Sequence, residues 1–484
     1  MQTKTYGKQA DDLMKTQCSA NQMEFHGLGS KDVIGRFDGG NISSDGGSVL
    51  LRELEQRTHI LKRLANCFED YRDQQLIEHD VESLIKQRVM GIALGYEDLN
   101  DHDKLRHDPV LALISGKQDI TGNHRQKNTD KGKALAGKST LNRLELTPDN
   151  ANSSSRYKKI VANPEAIDDL LIELFLEAHE TAPKQIILDI DATDDPLYGH
   201  QEGRFFQGYY GHYCYLPLYI FCGEHLLCAR LRSANQDAAA GSVDELARII
   251  PTIREKWPNC QIILRGDSGF CRDEIMHWCE SHEVDYVLGL AKNDRLKHAI
   301  EAEMALAKEA YKKTEQASRR FKDFRYQTRK SWSCERRVIG KAEYLERGEN
   351  PRFVVTSLST DAYPAKELYE TIYCARGDME NRIKEQQLAL FADRTSTSVM
   401  KSNQLRLYFS SFAYVLIQTL RRLGLANTHM AKAQCDTIRL TFFKIGVQLK
   451  LSVRKVWLAF SESYPHANEF RQILTTLQKI PIRC

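Results

Sequence analysis

Two short apolar runs, each ending in an acidic residue, organise the middle of the chain. Gln185-Ile-Ile-Leu-Asp-Ile-Asp191 predicts a buried strand, and Gln261-Ile-Ile-Leu-Arg-Gly-Asp267 predicts another. Between them, His212–Phe221 and His225–Arg232 are β-rich runs separated by Gly223-Glu224, a hairpin signal. Ser242-Val-Asp-Glu245 reads as a capping box opening a helix that carries Val243, Leu246, Ile249 and Ile250. A helix over Asp273–Ser281 and a strand over Asp285–Leu290 come next. The order strand, strand, strand, helix, strand, helix, strand predicts a mixed sheet with helices on its faces. Carboxylates ending the first and fourth strands would then lie side by side, where ligands of α/β sheets gather.

The flanks show helical spacing instead. Residues 1–165 read as mostly helical: Ser44-Asp45-Gly-Gly-Ser begins with capping residues, and Leu50, Leu54 and Leu61 follow at helical intervals. A second helix is expected over Val81–Leu94, with Val81, Ile85, Val89 and Ile92 on one side. Residues 115–139 turn polar and rich in Gly, Lys and Asn, an exposed loop. In the tail, Leu416, Leu420 and Leu423, and again Val453, Val456 and Phe460, have helical spacing. No repeat recurs at 20–50-residue intervals. The first residues, MQTKTYGKQADDLMK, lack the apolar run of a secretory signal. The stretch Leu405–Leu423 is shorter and more polar than the ~20 apolar residues of a membrane span. A soluble intracellular protein with no membrane partner is expected. None of the 12 cysteines stands in C-x-x-C spacing, so they read as reduced, buried thiols.

The acids carry the candidate chemistry. On an alternating strand Asp189 and Asp191 share one face and Ile190 points to the other. Asp267 is followed by Ser268-Gly269, where the backbone turns away and leaves the carboxylate accessible. Acids at the ends of apolar strands are costly unless paired, hydrogen-bonded or metal-bound, although each alone also suits a turn or a helix cap. A helix near Lys366–Leu390 places Tyr373, Arg376 and Glu380 at i, i+3 and i+7 on one face; Arg376 and Glu380 alone would read as a surface salt bridge. Three acids together would supply hard oxygen ligands for two Mg²⁺ or Mn²⁺ ions. Such ions activate a water or a 3′-hydroxyl for attack on a phosphodiester.

Leu188-Asp-Ile-Asp191-Ala-Thr-Asp, Arg265-Gly-Asp267-Ser-Gly-Phe and Tyr373-x-x-Arg376-x-x-x-Glu380-x-x-Ile-Lys-Glu resemble the DDE transposases of bacterial insertion sequences. The likeness is to the branch with the Y-x2-R-x3-E signature and extends over roughly residues 40–425. It implies an α/β, ribonuclease-H-like mixed sheet with a β-rich insertion between helical N-terminal and C-terminal regions. Asp191, Asp267 and Glu380 become the catalytic, metal-binding triad for two Mg²⁺ (or Mn²⁺), with Tyr373 and Arg376 supporting Glu380 and DNA phosphate. The signature normally has a Lys seven positions after the Glu; here Gln387 stands there, and Lys384, one helical turn earlier, is the candidate for its DNA-phosphate role. Asp189 and Asp194 compete with Asp191 as the first acid; Asp191 is preferred because it ends the apolar run and precedes Ala-Thr.

The resemblance also divides the chain. Residues 1–165 are a helical region that binds DNA ends, 166–300 the first part of the core, and 301–362 a basic β-rich insertion. Residues 363–400 carry the catalytic Glu, and 401–484 form a basic helical tail. The insertion fills the 112 residues between Asp267 and Glu380, with strands expected at Ser331–Val338 and Arg352–Ser357. The implied function is a bacterial, cytoplasmic, nucleoid-associated transposase, homodimeric on DNA. It would bind the terminal inverted repeats, cleave, and join the 3′ ends to target DNA. A metal-dependent nuclease without strand transfer and a non-catalytic DNA-binding protein are the competing readings.

Charge sharpens this picture. The net charge is +3, near neutral, yet residues 308–341 carry +8 and residues 401–484 carry +10, leaving −15 on the other 366. In the insertion Phe321, Phe324, Tyr326 and Trp332 interleave with the cations; Trp332 is a candidate for stacking on an unpaired base. Gly132-Lys-Ala-Leu-Ala-Gly137-Lys138-Ser139 matches a phosphate-binding loop formally, but the preceding Asn123-His-Arg-Gln-Lys-Asn-Thr-Asp cannot be a buried strand. A basic loop capped by Ser139 or Thr140 is expected instead.

Overall fold

Nine strands form one mixed sheet in the computed structural model, which describes residues 22–483. In chain order they are β1 (Gln185–Ala192), β2 (Leu218–Cys222), β3 (His225–Arg230), β4 (Gln261–Gly266), β5 (Asp285–Leu290), β6 (Ser318–Tyr326), β7 (Arg336–Leu345), β8 (Gly348–Glu349) and β9 (Arg352–Thr356). Across the sheet they run β3-β2-β1-β4-β5-β9-β7-β6, with β8 paired to β7. β1, β2 and β3 are antiparallel neighbours, whereas β4 and β5 run parallel to β1. Parallel neighbours need crossovers, and the helices Ser242–Lys256 and Asp273–Ser281 provide them. A central first strand, a meander on one side and two parallel strands on the other make this a ribonuclease-H-like sheet.

β1 and β4 are unbroken apolar runs because both their faces are covered. Ile186, Leu188, Ile190, Ile262 and Leu264 pack with Leu246, Ile249, Ile253 and Met276 of the two crossover helices. On the opposite face Ile263, Val287, Ile339 and Val354 meet Leu368 and Tyr369, with Ile187 partly buried beside them. The segment holding Tyr373, Arg376 and Glu380 is therefore laid on the sheet by its own apolar side.

The helical flanks share a second core, in which Val49–Thr58, Val81–Ala93 and the 25-residue helix Met400–Gly424 pack together. The long helix is stitched to β3 by Gln404, whose amide donates to the Ala229 carbonyl (2.9 Å) and whose carbonyl accepts from Leu231 N–H (2.6 Å). Asn41–Ser43 pairs with Val447–Leu451, which pairs with Val456–Phe460, so early and late chain segments close one sheet. Among the described residues no helix is long and apolar enough to cross a membrane, and the cysteines are free. The segment read for a secretory signal lies outside the described residues.

Several local expectations give way to long-range contacts. Ser44 and Asp45 cap nothing: a short turn, Gly46–Ser48, precedes the first helix, and Asp45 instead accepts the Tyr96 hydroxyl (2.5 Å) and pairs with Lys444 (2.6 Å). His59, at φ 55°, ends that helix, so Leu61 belongs to the next one. Glu55 caps the new helix by accepting from the N–H groups of Leu61 and Lys62. The capping box at Ser242 does not form either; Gly241 holds the N-cap position and Glu245 is taken by Arg230 and Arg248. In the insertion, residues 331–335 are loop, the strand starts at Arg336, and the unexpected β6 adds an outer edge. The insertion strands continue the central sheet, because β9 pairs with β5. Val456–Phe460 is a strand rather than a helix, as its β-branched and aromatic residues allow. No strand precedes Gly132, and Lys138 reaches Asp103 and Asn100, but the expected cap fails: the helix starts at Lys138 with Gly137 at its N-cap, Ser139 and Thr140 lie inside it, and Ala134, Leu135 and Ala136 are buried rather than exposed.

Candidate active site

The register of the sheet brings the first two acids together. In the β1–β4 pair Ile190 stands opposite Gly266, which sets Asp191 and Asp267 opposite each other at the strand ends. Parallel neighbours lie ~4.8 Å apart, so the two carboxylates share one rim. The Asp191 carboxyl is pushed up to about 6 by burial and by the charges of Asp267 and Glu380, an effect opposed by Arg376. Asp267 turns its Oδ1 to the Gly269 N–H (2.8 Å).

The third acid arrives on an irregular helix. Leu368–Tyr373 is a π-helical turn, Cys374–Arg376 is tightened, and a regular helix resumes over Gly377–Lys384 before a second π turn at Glu385–Ala389. Interruptions of this kind re-aim side chains and are frequent at functional sites. Arg376 uses one guanidinium nitrogen for Asp191 (3.0 Å) and another for Glu380 (2.7 Å). It thus ties the signature helix to the end of β1. The Tyr373 hydroxyl sits over β5, where a methyl group on Gly289 would come within 2.6 Å of it and 2.9 Å of the Ser268 nitrogen. Burial raises the Tyr373 phenol, and Arg376 opposes that.

The other two aspartates at this end are engaged elsewhere. Asp189 is buried and accepts from Arg265 at 2.5 and 2.8 Å. Arg265 also donates to the Ile372 carbonyl, so one buried cation joins β1, β4 and the signature helix. Asp194 accepts from His212 Nε2 (2.7 Å). Asp195 is fully buried and its carboxyl is raised far above the ordinary range by desolvation. Gln387, standing where the signature has Lys, donates to Asp195 Oδ1 and to the Asp194 carbonyl, both at 3.0 Å. Sequence reasoning passed over Arg265 and the contact of Gln387. The signal for Arg265 was available: a cation inside an apolar strand requires a buried partner.

Asp191, Asp267 and Glu380 offer only hard oxygen donors, the chemistry of a Mg²⁺ or Mn²⁺ site. The guanidinium of Arg376 is itself a cation between two of them, as that donor set requires. Among the described residues no three acidic, His or Cys side chains converge closely enough to hold an ion with Arg376 in this position.

The remaining candidates are placed less centrally. Lys384 is exposed one turn beyond Glu380, with no ion pair among the described residues. Trp332 is 6% exposed, edge-on to Tyr326 (5.7 Å) and beneath Arg336, so its ring is a core side chain and not an open stacking face. The insertion's charge is also more spent than its sum suggests. Of the 12 cations in residues 308–341, Lys313, Arg319, Lys322, Arg325, Arg336, Arg337 and Lys341 form ion pairs. Arg336 and Arg337 are buried in theirs.

A ribonuclease-H-like sheet with an acid at the end of each of two central parallel strands defines the class. Residues 25–482 match the family described as Transposase DDE domain group 1, and the chain belongs to that family. No curated protein matches it. Among solved structures it is similar to the piggyBac transposase synaptic complex with hairpin DNA, determined by cryo-electron microscopy. Identity is 10% and the TM-score 0.37, with 83% of this chain and 80% of that chain covered.

Proposed function

We propose that this protein is an insertion-sequence transposase that binds the ends of its element, cuts the DNA and joins the freed 3′ ends to a target. The observation that carries the reading is the meeting of Asp191, Asp267 and Glu380 through a strand register and one shared arginine. Divalent cations held by these three acids would polarise the phosphodiester and lower the pKa of an attacking water. The chain's own groups do the rest. Arg376 would keep Glu380 oriented, or meet a phosphate, with cations bound at the acids. Arg265 fixes the height of the helix above the sheet. Gln387 holds the loop after Asp191 against the helix and leaves the phosphate role to Lys384. Membership of the Y-x2-R-x3-E branch rests on Tyr373, Arg376 and Glu380, with Gln387 as its departure. End binding is assigned to residues 1–165, and further backbone contacts to the insertion and tail, on a dimer that pairs two ends.

The test uses duplexes carrying the ends of its own element, incubated with Mg²⁺, with products mapped on both strands. Asp267→Asn should bind these duplexes as the unaltered protein does and yield no Mg²⁺-dependent cleavage. Undiminished cleavage would overturn the reading. Pre-cut ends should be joined to a second duplex; cutting without joining leaves a nuclease.

A further inference from the structure

The segment between β1 and β2 begins two residues after Asp191 and is unusually aromatic. Residues 197–213 hold Tyr198, Phe205, Phe206, Tyr209, Tyr210 and Tyr213, against a single acid, Glu202. The segment folds as a small antiparallel sheet of Asp195–Pro196, Phe205–Gln207 and His212–Tyr215, closed by a tip at residues 208–211. Its inner residues Cys214, Tyr215 and Leu216 are buried, as usual. The rings face outward: Tyr198 is 93% exposed, Tyr209 88% and Phe206 57%. Apolar surface gathered in this way marks a binding face.

The rings are ordered, and a guanidinium stands among them. Phe206 and Tyr213 pair across the strands at 5.5 Å, Tyr209 and Tyr210 meet edge-on at 5.0 Å, and Arg204 lies 3.7 Å over the Tyr213 ring. Glu202 accepts from the Met400 N–H, which leaves Arg204 as the cation beside the rings. His212 anchors the hairpin to Asp194, three residues beyond Asp191. Methyl groups added at Gly208 and Gly211 would meet nothing within 4 Å among the described residues, so the tip rings have open space around them.

We propose that this hairpin is a stacking platform for unpaired nucleobases of DNA bound at Asp191, with Tyr198, Phe206 and Tyr209 as the stacking rings and Arg204 as a phosphate contact. The inference rests on the reading of the site as DNA-processing and names which part of the substrate it takes. Separate ring faces pointing outward suit single bases, each of which has a π-face; duplex DNA hides those faces within its stack. The continuity of the hairpin with β1 puts any such base beside the phosphodiester that Asp191 would address.

The probe is a 15-nucleotide single strand carrying one 2-aminopurine, and its duplex, with the full chain in EDTA. The unaltered protein should quench 2-aminopurine in the single strand. Tyr198→Ala with Tyr209→Ala should lose the quench and weaken single-strand binding about thirtyfold or more, leaving duplex binding within about twofold. Tyr198→Phe with Tyr209→Phe should keep both properties. An unchanged quench in the Ala variant, or equal loss in the Phe variant, would overturn the proposal. Asp267→Asn should quench normally. If cleavage needs Asp267 while the quench ignores the tyrosines, the hairpin proposal falls alone. If the tyrosines govern the quench while Asp267→Asn cleaves normally, the hairpin stands and the transposase reading falls.

Discussion

The guanidinium of Arg376 stands between two carboxylates, 3.0 Å from Asp191 and 2.7 Å from Glu380. Its neighbours are otherwise mutually repulsive, since Asp267 and Glu380 both push the Asp191 carboxyl up. Arg376→Ala should therefore lower the melting temperature in EDTA by about 2 °C, with a loss of about 2 kcal/mol for a part-buried charge pair. Mg²⁺ should recover more of that loss than it adds to the unaltered protein. Equal Mg²⁺ shifts in the two proteins would show that the arginine does not hold the place of a cation.

Arg265 and Asp189 form a buried pair that can be tested by a double-mutant cycle. Removing either partner strands the other charge in the core and should cost about 3–5 kcal/mol in urea unfolding. Replacing both, as Asp189→Asn with Arg265→Met, should cost less than the sum of the single changes. Strict additivity would mean that the pair does not couple β1 to β4.

Gly289 is needed for a close approach. A methyl group there would lie 2.6 Å from the Tyr373 hydroxyl oxygen, so Gly289→Ala should destabilise by about 1–3 kcal/mol. In a Tyr373→Phe background the cost should fall, because the obstructing oxygen is gone. The same cost in both backgrounds would place the strain on the Ser268 backbone.

His102 gives the pH dependence. It is fully buried, accepts at Nδ1 from Gln87 (3.0 Å), and burial lowers it to about 3. The folded imidazole stays neutral while the unfolded one titrates near 6.5, so the unfolded state binds more protons between those values. Stability from this group is complete above about pH 6.5 and is lost as pH falls toward 3, about 2 kcal/mol of it between pH 7 and pH 5. His102→Asn should shrink the pH 7-to-5 difference in urea unfolding; an unchanged difference would assign it to other groups.

What could be read from sequence divides along contact range. β4 and β5 and the helix Asp273–Ser281 lie where their own apolar patterns put them, because burial of both sheet faces leaves a continuous local signature. The neighbouring of Asp191 and Asp267 followed from strand order alone. The bridging role of Arg376 did not, since a pair four residues apart looks the same on an exposed surface as beside a second acid. Asp45 and Glu245 have ordinary capping spacing yet serve partners far along the chain. Trp332 sits among cations in sequence, and only the fold shows Tyr326 and Arg336 enclosing it. The aromatic residues of 197–213 drew no reading from sequence, because nothing local says that their rings point outward.

The pairing of β9 with β5, Val287 opposite Thr356 and Leu290 opposite Phe353, has a consequence for how this architecture can vary. After β5 the chain crosses to the outer strand β6 and comes back through β7 to β9 beside β5, so the insertion widens the sheet and ends where it began. Ile339 of β7 packs with Leu368 and Tyr369, so the strands of the insertion are part of the platform that carries Glu380. Length can vary at the loop of residues 327–335, between β6 and β7, while that platform and Arg265 hold the spacing of Asp267 and Glu380.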